Sequence, residues 1–420
     1  MTLRALYVDF NSYFASVEQQ ERPELRAKPI GVLPVKAETT CCIAASYEAK
    51  KFGVTTGTPV REARKLCPDI TFIEARPALY IQYHHWLVEI VESCTPVDRT
   101  LSIDEMVCKL TGSQQQRDNA LALAARIKQA IRKQAGEHIR SSIGIAPNMF
   151  LAKVASDMQK PDGCVVIAQH ELPEKLYSLA LRDLYGIGKR MAQRLNRAGI
   201  ATIPELYAAN RQQLRAAWGS VEGERLYDKL RGEAQFEIKR PRHSLGHSHV
   251  LPPHLRTPQS ACAVLHRLLQ KACMRLRSYE LVASVIQIKV KFIDQPSWSS
   301  DSACSPTDDT LQLTHALEQL WQRYPARLSA PYTVGLSLSG LAPPTQRPLD
   351  MFSLPAATSK KKAAPTALSH VLDALNMRYG KNTVYFGSAH NALNNAPMRI
   401  AFNHIPDLEV ENDTATKGAP

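Results

Sequence analysis

Two adjacent carboxylates, Asp104 and Glu105, sit inside an otherwise apolar run, residues 99–112 (RTLSIDEMVCKLTG). Leu101 and Ile103 precede them, and Met106, Val107 and Leu110 follow. The pattern predicts a strand, a tight reversal at Asp104-Glu105 and a return strand. Neighbouring carboxylates repel each other unless a cation lies between them, which is the logic of a divalent-metal site with oxygen ligands. The plain alternative is a polar turn, where Asp and Glu are common. A third carboxylate separates the two readings, and Asp9 supplies one. It lies near the end of the apolar run 3–10, which reads as a buried strand. Asn11 and Ser12 then offer N-cap chemistry to a helix with Tyr13 and Val17 at i, i+4. A strand tip feeding a helix N-terminus presents free N–H groups that suit phosphate. Asp9 would hold a cation beside that cradle, or merely help cap the helix.

Cationic side chains accompany these acids. Residues 43–51 place Ser46, Tyr47, Lys50 and Lys51 at a predicted helix start, where lysines could meet a triphosphate or form a solvated basic face. Lys153 and Lys160 stand at i, i+7 in NMFLAKVASDMQKPDG and could share one helical face. Further on, LYGIGKRMAQRLNRAGI contains Gly186 and Gly188, followed by Lys189 and Arg190. This resembles a helix-hairpin-helix, whose glycines let backbone N–H groups approach a DNA phosphate without reading sequence.

The elements that must position these residues follow from the periodicity. A strand, a helix, a mixed Pro- and Gly-punctuated segment at 27–76, a helix, the acidic hairpin, a helix over 119–134 and a strand over 141–146 come in order. That order suggests an antiparallel sheet backed by helices, with 27–76 inserted and Asp9 beside the hairpin. Residues 171–232 read as helical. The stretch around 236–242 (FEIKRPR) is basic and Pro-containing and reads as a linker. A second α+β unit follows, with a helix over 258–279. VIQIKVKF puts Ile286, Ile288, Val290 and Phe292 on one face and Gln287, Lys289 and Lys291 on the other, the latter free to lie along a phosphate backbone. PPTQRPLDMFS then carries Gln346, Leu349, Met351 and Phe352 as a polar-then-apolar anchor, the pattern of a peptide that fills a partner's groove, or an ordinary linker. After the basic connector SKKKAA, residues 367–389 read as a small helix and strand, and the end of the chain as disordered.

Composition suits a protein whose partner is a polyanion, or a merely soluble basic protein. The chain has 420 residues, enough for two to four domains. Lys plus Arg number 52 against 39 acids, a net charge of +13 that suits nucleic acid. The nine cysteines show no Cys-x-x-Cys pair, so they read as reduced core thiols of a cytosolic protein. No secretory signal and no membrane-length apolar run is expected.

VDFNSYFASVE, YEAKKFGV, SIDE, QKPDG and GIGKRMAQRL occur in the order and spacing of the Y-family translesion DNA polymerases, which this chain resembles over residues 1 to about 352. The resemblance implies an α+β multidomain, right-hand polymerase fold. Residues 1–26 and 77–170 would be a ferredoxin-like palm, 27–76 small fingers, 171–235 a helical thumb with the helix-hairpin-helix, and 243–343 an α+β little finger. Residues 236–242 would be the linker, 344–353 a clamp-binding motif and 354–420 a partly disordered tail. It further implies that Asp9, Asp104, Glu105 and the Phe10 carbonyl hold two Mg²⁺ ions, about 3.5–4 Å apart in such sites. Phe14 falls at the steric gate against a ribose 2′-hydroxyl, and Tyr47, Lys50 and Lys160 at triphosphate-contacting positions. Gly186, Gly188, Lys189, Lys289 and Lys291 would touch DNA. Gln346, Leu349, Met351 and Phe352 would bind the sliding clamp. The implied partners are primer–template DNA, deoxynucleoside triphosphates, the clamp and SOS accessory proteins, in the cytoplasm and away from membranes. Ala44 and Lys50 depart from the polymerase IV pattern toward the polymerase V catalytic subunit, whereas Tyr47 and QKPDG lean the other way.

Two rival readings belong to other classes. A catalytically silent, polymerase-like adaptor would recruit repair factors, but such relatives lose the carboxylates that this chain keeps. A two-metal nuclease would need neither Phe14 nor the triphosphate lysines.

Overall fold

The computed structural model describes residues 3–233, 242–325, 330–346, 365–393, 395, 400 and 405–408. The chain divides into two compact units, Met1–Ile238 with Ile400–Ile405, and Lys239–Arg399 with Pro406–Pro420.

The first unit is organised on ALYVDF, which forms β1 (Ala5–Phe10) and is buried at every residue. Helix α1 (Tyr13–Glu21) follows after two residues. Its N-cap, Ser12, adopts the left-handed conformation with φ 47° and makes no side-chain cap bond. The expected capping chemistry is therefore absent, and Asn11 turns to Ser142 and the Asp162 N–H instead. Next come β2 (Ile30–Leu33), β3 (Ala44–Ala45), α2 (Tyr47–Lys50), α3 (Val60–Leu66) and β4 (Thr71–Glu74). They make a separate small sheet in the order β3-β2-β4, with its own apolar core around Leu33, Ala49 and Val60.

Helix α4 (Pro77–Glu92) leads back to β5 (Arg99–Ser102), β6 (Glu105–Lys109), α5 (Arg117–Gln134), β7 (Ser141–Ala146), α6 (Met149–Met158) and β8 (Cys164–Val166). Five strands form the main sheet in the order β5-β6-β1-β7-β8, antiparallel except for the β7–β8 pair. The reversal of the acidic hairpin falls at Ile103-Asp104, so Glu105 already opens the return strand. Four short helices follow: α7 (Lys189–Arg197), α8 (Ile203–Ala208), α9 (Arg211–Trp218) and α10 (Glu222–Leu230). Their core is continuous with α6 and with Ala5 and Tyr7 of the sheet.

In the second unit, β9 (Ser244–Val250), α11 (Pro258–Ser278), β10 (Ala283–Lys291), β11 (Trp298–Thr307), α12 (Thr310–Gln322) and β12 (Thr333–Ser339) build an antiparallel sheet, order β11-β10-β12-β9, with both helices packed into its core. Ile286, Ile288, Val290 and Phe292 are buried there, while Gln287, Lys289 and Lys291 are exposed. Strands β9 and β11 add to the sequence reading, which passed over them. Helix α13 (Pro365–Tyr379) is fixed to this unit by Asp373, which accepts two bonds from the Arg277 guanidinium at 2.6 and 2.9 Å. In place of the strand expected after it, residues 381–386 are turn and loop, followed by a 3₁₀ helix, Gly387–Ala392. Residues 236–241 of the expected linker, and Leu349, Met351 and Phe352 of the expected clamp motif, lie outside the described residues; Gln346 closes a short 3₁₀ turn. Among the described residues no helix is long and apolar enough to cross a membrane.

One glycine sets the height of α6 over the main sheet. Side chains alternate along a strand, so Ala5, Tyr7 and Asp9 share a face, and this face carries α6. Gly144 pairs with Tyr7. A Cβ at Gly144 would lie 1.9 Å from the Ala152 carbonyl oxygen and 2.4 Å from the Ser156 nitrogen. The two nearest obstacles are backbone and the third is the Ala155 Cβ at 2.9 Å, none of them the end of a flexible side chain, so relief requires the helix to move. Gly144→Ala should therefore destabilise the first unit by about 3 kcal/mol, the upper range for overpacking. The check is a denaturant midpoint, and a wild-type midpoint would refute the close-approach argument.

Candidate active site

Register brings the first two acids together. Asp9 on β1 pairs directly with Glu105 on β6, so both carboxylates project from the same face, toward α6. Asp104 occupies the turn beside them, and its carbonyl accepts the Phe10 N–H at 2.9 Å. The turn is pinned from behind by His84 of α4, whose Nδ1 lies 2.8 Å from the Ile103 carbonyl oxygen. Burial lowers the pKa of His84, which favours the neutral ring as the donor there. Ser102 ties the two hairpin acids. Its hydroxyl donates to Asp104 Oδ1 at 2.6 Å, with Glu105 Oε2 3.0 Å away.

Two lysines meet this cluster from the other side. Lys153 Nζ lies 2.6 Å from Asp9 Oδ2, 2.7 Å from Glu105 Oε1 and 3.2 Å from Asp157 Oδ1. Lys160 Nζ lies 2.7 Å from Asp9 Oδ1 and 2.8 Å from Asp157 Oδ1. The two do not share a helical face as expected. Helix α6 ends at Met158, and Lys160 reaches Asp9 from the loop that follows. Pro161 explains this, because the residue before a proline is driven out of helical conformation. Burial alone would lower the Lys153 pKa, but Asp9, Glu105 and Asp157 outweigh it and hold the ammonium above the ordinary lysine range.

The donor set fits hard divalent cations. Burial, then the charges of Asp9 and Glu105, push the Asp104 carboxyl up to about 6, against the opposing Ser102 hydrogen bond. Such crowding of acids is relieved by positive charge, and carboxylate oxygens are the ligands that Mg²⁺ prefers. Among the described residues no three acid, histidine or thiol groups already stand in a metal-ligating arrangement. The ammonium groups stand between the carboxylates instead.

Some of the other expected residues gather near the acids. Phe14 is half-buried, and its ring stacks on Tyr80 at 4.4 Å between centroids and 16° between planes. Tyr80 is itself held by a hydrogen bond from its hydroxyl to Glu18 Oε1 at 2.8 Å. Glu18 is fully buried and also accepts two bonds from Arg76, at 3.0 and 2.7 Å. Lys50 lies over the Tyr47 ring, 4.4 Å from its centroid. Burial, and then the charge of Lys160, draw the Lys50 pKa down, with Asp9 opposing. Tyr47, Lys50 and Lys160 therefore belong to one neighbourhood with Asp9. Gly186, Gly188 and Lys189 lie elsewhere in the first unit, at the start of α7, where the glycines are exposed around a buried Ile187. Gly186 has φ +90°, and a Cβ at either glycine would meet no atom within 4 Å, so this backbone is open to solvent. Lys289 and Lys291 lie in the second unit. The sequence reading missed Glu18, Tyr80 and Asp157 as supports of the site. Only Asp157 left a trace, in its spacing four residues after Lys153 and three before Lys160.

Residues 8–157 match the model of the impB/mucB/samB family, and residues 242–351 match that family's C-terminal domain. Residues 182–233 match the DNA polymerase-iota thumb domain. The chain is 34% identical to the DNA polymerase IV of Moorella thermoacetica, over 90% of this chain and 94% of that one. It is 30% identical to DNA polymerase IV 1 of Bacillus subtilis, over 94% and 95% of the two chains. Among solved structures it is similar in fold to a Y-family DNA polymerase chimera, with a TM-score of 0.69 at 24% identity, covering 81% of this chain and 99% of the other. It is also similar to Dbh DNA polymerase in an insertion ternary complex, with a TM-score of 0.55 at 24% identity and the same coverage. By these matches, and by a fold that places Asp9 opposite the Asp104-Glu105 hairpin, the chain belongs to the impB/mucB/samB family, the Y family of translesion DNA polymerases.

Proposed function

We propose that this DNA-directed DNA polymerase extends primers across damaged template, with low fidelity, by two-metal nucleotidyl transfer. The observation that carries the reading is the direct pairing of Asp9 with Glu105, with Asp104 in the adjoining turn. Asp9, Asp104, Glu105 and the Phe10 carbonyl would hold two Mg²⁺ ions, which when bound polarise phosphoryl oxygens and ease ionisation of a primer 3′-hydroxyl. The relatives named DNA polymerase IV and the neighbour titled an insertion ternary complex support primer–template DNA and deoxynucleotides as the substrates.

This chain's own residues supply binding and selection. Tyr47, Lys50 and Lys160 would take the triphosphate, and its negative charge would offset the mutual repulsion of the two ammonium groups. Phe14, backed by Tyr80, would exclude a 2′-hydroxyl because the ring cannot retreat into the core. The 27–76 segment contributes only a three-stranded sheet and two short helices, a small surface with which to test base-pair shape. The open glycine backbone at Gly186 and Gly188, with Lys189, suits phosphate contact without sequence reading. Lys289 and Lys291 offer the same contact from an exposed sheet face. Domain by domain, palm, fingers, thumb and little finger would occupy the sequence ranges given for them, with Gln346, Leu349, Met351 and Phe352 binding a sliding clamp that supplies processivity. SOS accessory proteins and a cytoplasmic setting complete the proposal.

Primer extension with Mg²⁺ on undamaged and abasic templates tests the chemistry. Replacing both Asp104 and Glu105 by Ala should lower extension by about 1000-fold or more, because a barrier set by metal-held charge is then uncovered. Equal extension by both proteins would remove the carboxylates from the mechanism. Phe14→Ala should raise ribonucleotide incorporation relative to deoxynucleotide by about tenfold or more, measured as the ratio of the two specificity constants; an unchanged ratio means the gate lies elsewhere. With clamp loaded, the Gln346→Ala, Leu349→Ala double variant should synthesise only as far as the wild type does without clamp. Retained stimulation would show that another segment binds it.

A further inference from the structure

Lys153 differs from the lysines that would meet a triphosphate. It is only 9% exposed, on the face of α6 that Gly144 lets down onto the sheet. Its ammonium is surrounded by Asp9, Glu105 and Asp157, all within 3.2 Å, with the Tyr7 ring 5.3 Å away. Three carboxylates surround this cation, two of them shared with Lys160, which leaves it little positive charge to offer a nucleotide. It instead engages Asp9 Oδ2 and Glu105 Oε1, from two carboxylates on facing strands that would also serve to hold a divalent cation. An ammonium and a divalent cation cannot both sit at hydrogen-bonding distance from the same buried oxygens without strong repulsion. Asp157, whose Oδ1 also meets Lys160 at 2.8 Å, provides a second seat on the same helix, one turn on from Lys153 and more exposed than Asp9.

We propose that Lys153 is a built-in counter-ion that bridges Asp9 and Glu105 while metal is absent and moves toward Asp157 when metal enters, so that metal binding competes with the lysine. The inference rests on Asp9 and Glu105 being metal ligands. Its consequence is a site that stays folded when empty and resists casual filling. The bare protein holds divalent cations weakly, and a nucleotide that brings its own phosphate oxygens tips the competition.

The test uses the full chain without DNA or nucleotide. Mn²⁺ is titrated into the wild type, Lys153→Met and the Asp104→Ala, Glu105→Ala double variant, and free Mn²⁺ is read by electron paramagnetic resonance. Lys153→Met should bind Mn²⁺ about tenfold more tightly than the wild type, the scale of removing one close positive charge from a partly buried site. In EDTA the same variant should melt at a lower temperature than the wild type, and Mn²⁺ should raise its melting temperature by more. Equal or weaker Mn²⁺ binding by Lys153→Met overturns the counter-ion. Absence of binding to wild type and Lys153→Met alike overturns the carboxylate metal site itself. Should Lys153→Met not fold, the wild type still decides. Its Lys153 ammonium resonance, assigned by its loss in Lys153→Arg, should be protected in EDTA and shift on adding Mg²⁺. A resonance indifferent to Mg²⁺ overturns the proposal.

Discussion

Carboxylates that face one another across adjacent strands repel, and the first unit is arranged to hold them in place nonetheless. The β1–β6 register sets Asp9 against Glu105, and the same alternation that buries Ala5 and Tyr7 turns Asp9 toward α6. Gly144 has no side chain to keep that helix away. Lys153 therefore arrives within 2.7 Å of both acids, and Lys160 closes the other side of Asp9. Removing one partner of such a buried set leaves an uncompensated charge, which costs far more than the set contributes as a whole. The arrangement is accordingly better understood as a means of keeping acids together for function than as a source of stability.

A second buried carboxylate fixes the junction of α1 with the start of α4. Glu18 is fully buried in α1, and its oxygens are taken by Arg76 and the Tyr80 hydroxyl at the start of α4. Tyr13 strengthens the same junction by donating its hydroxyl to the Tyr80 carbonyl at 2.6 Å. The ring of Phe14, between these two helices, stacks on a Tyr80 that cannot yield. A ring so backed is held in place, whereas a mobile ring would fold away from any group pressed against it.

The parts legible in the sequence were those where pattern and chemistry coincide. Asp9 and the Asp104-Glu105 pair each interrupt an apolar run, and VIQIKVKF alternates so strictly that its buried and exposed faces could be named. Strand β11, WSSDSACSPT, was illegible because small polar residues occupy both faces and little apolar contrast remains. Strand β9, SLGHSHV, carries too few apolar residues to announce itself. Ser12 reads as a helix cap by type, but its side chain makes no cap bond, because Asn11 is drawn to Ser142 and Asp162 and the chain turns left-handed between strand and helix. The place of Lys160 was available from Pro161 and was obscured by a period-seven coincidence. The role of Lys153 depends on the height of α6 above the sheet, which one glycine determines and no helical period encodes.

The charge of the site follows the charge of the chain only in part. A protein with an excess of 13 positive charges is drawn to polyanions, yet its centre gathers Asp9, Asp104, Glu105 and Asp157 against Lys50, Lys153 and Lys160. Four acids and three ammonium groups are close to balance, so the centre does not carry the positive excess of the chain. On the proposed function, a nucleotide would give the lysines phosphate oxygens to meet and would leave the carboxylates to cations. On that reading nucleotide and metal would favour each other's entry through one set of side chains. Reciprocity of this kind is a thermodynamic requirement once both ligands act on the same ion pairs.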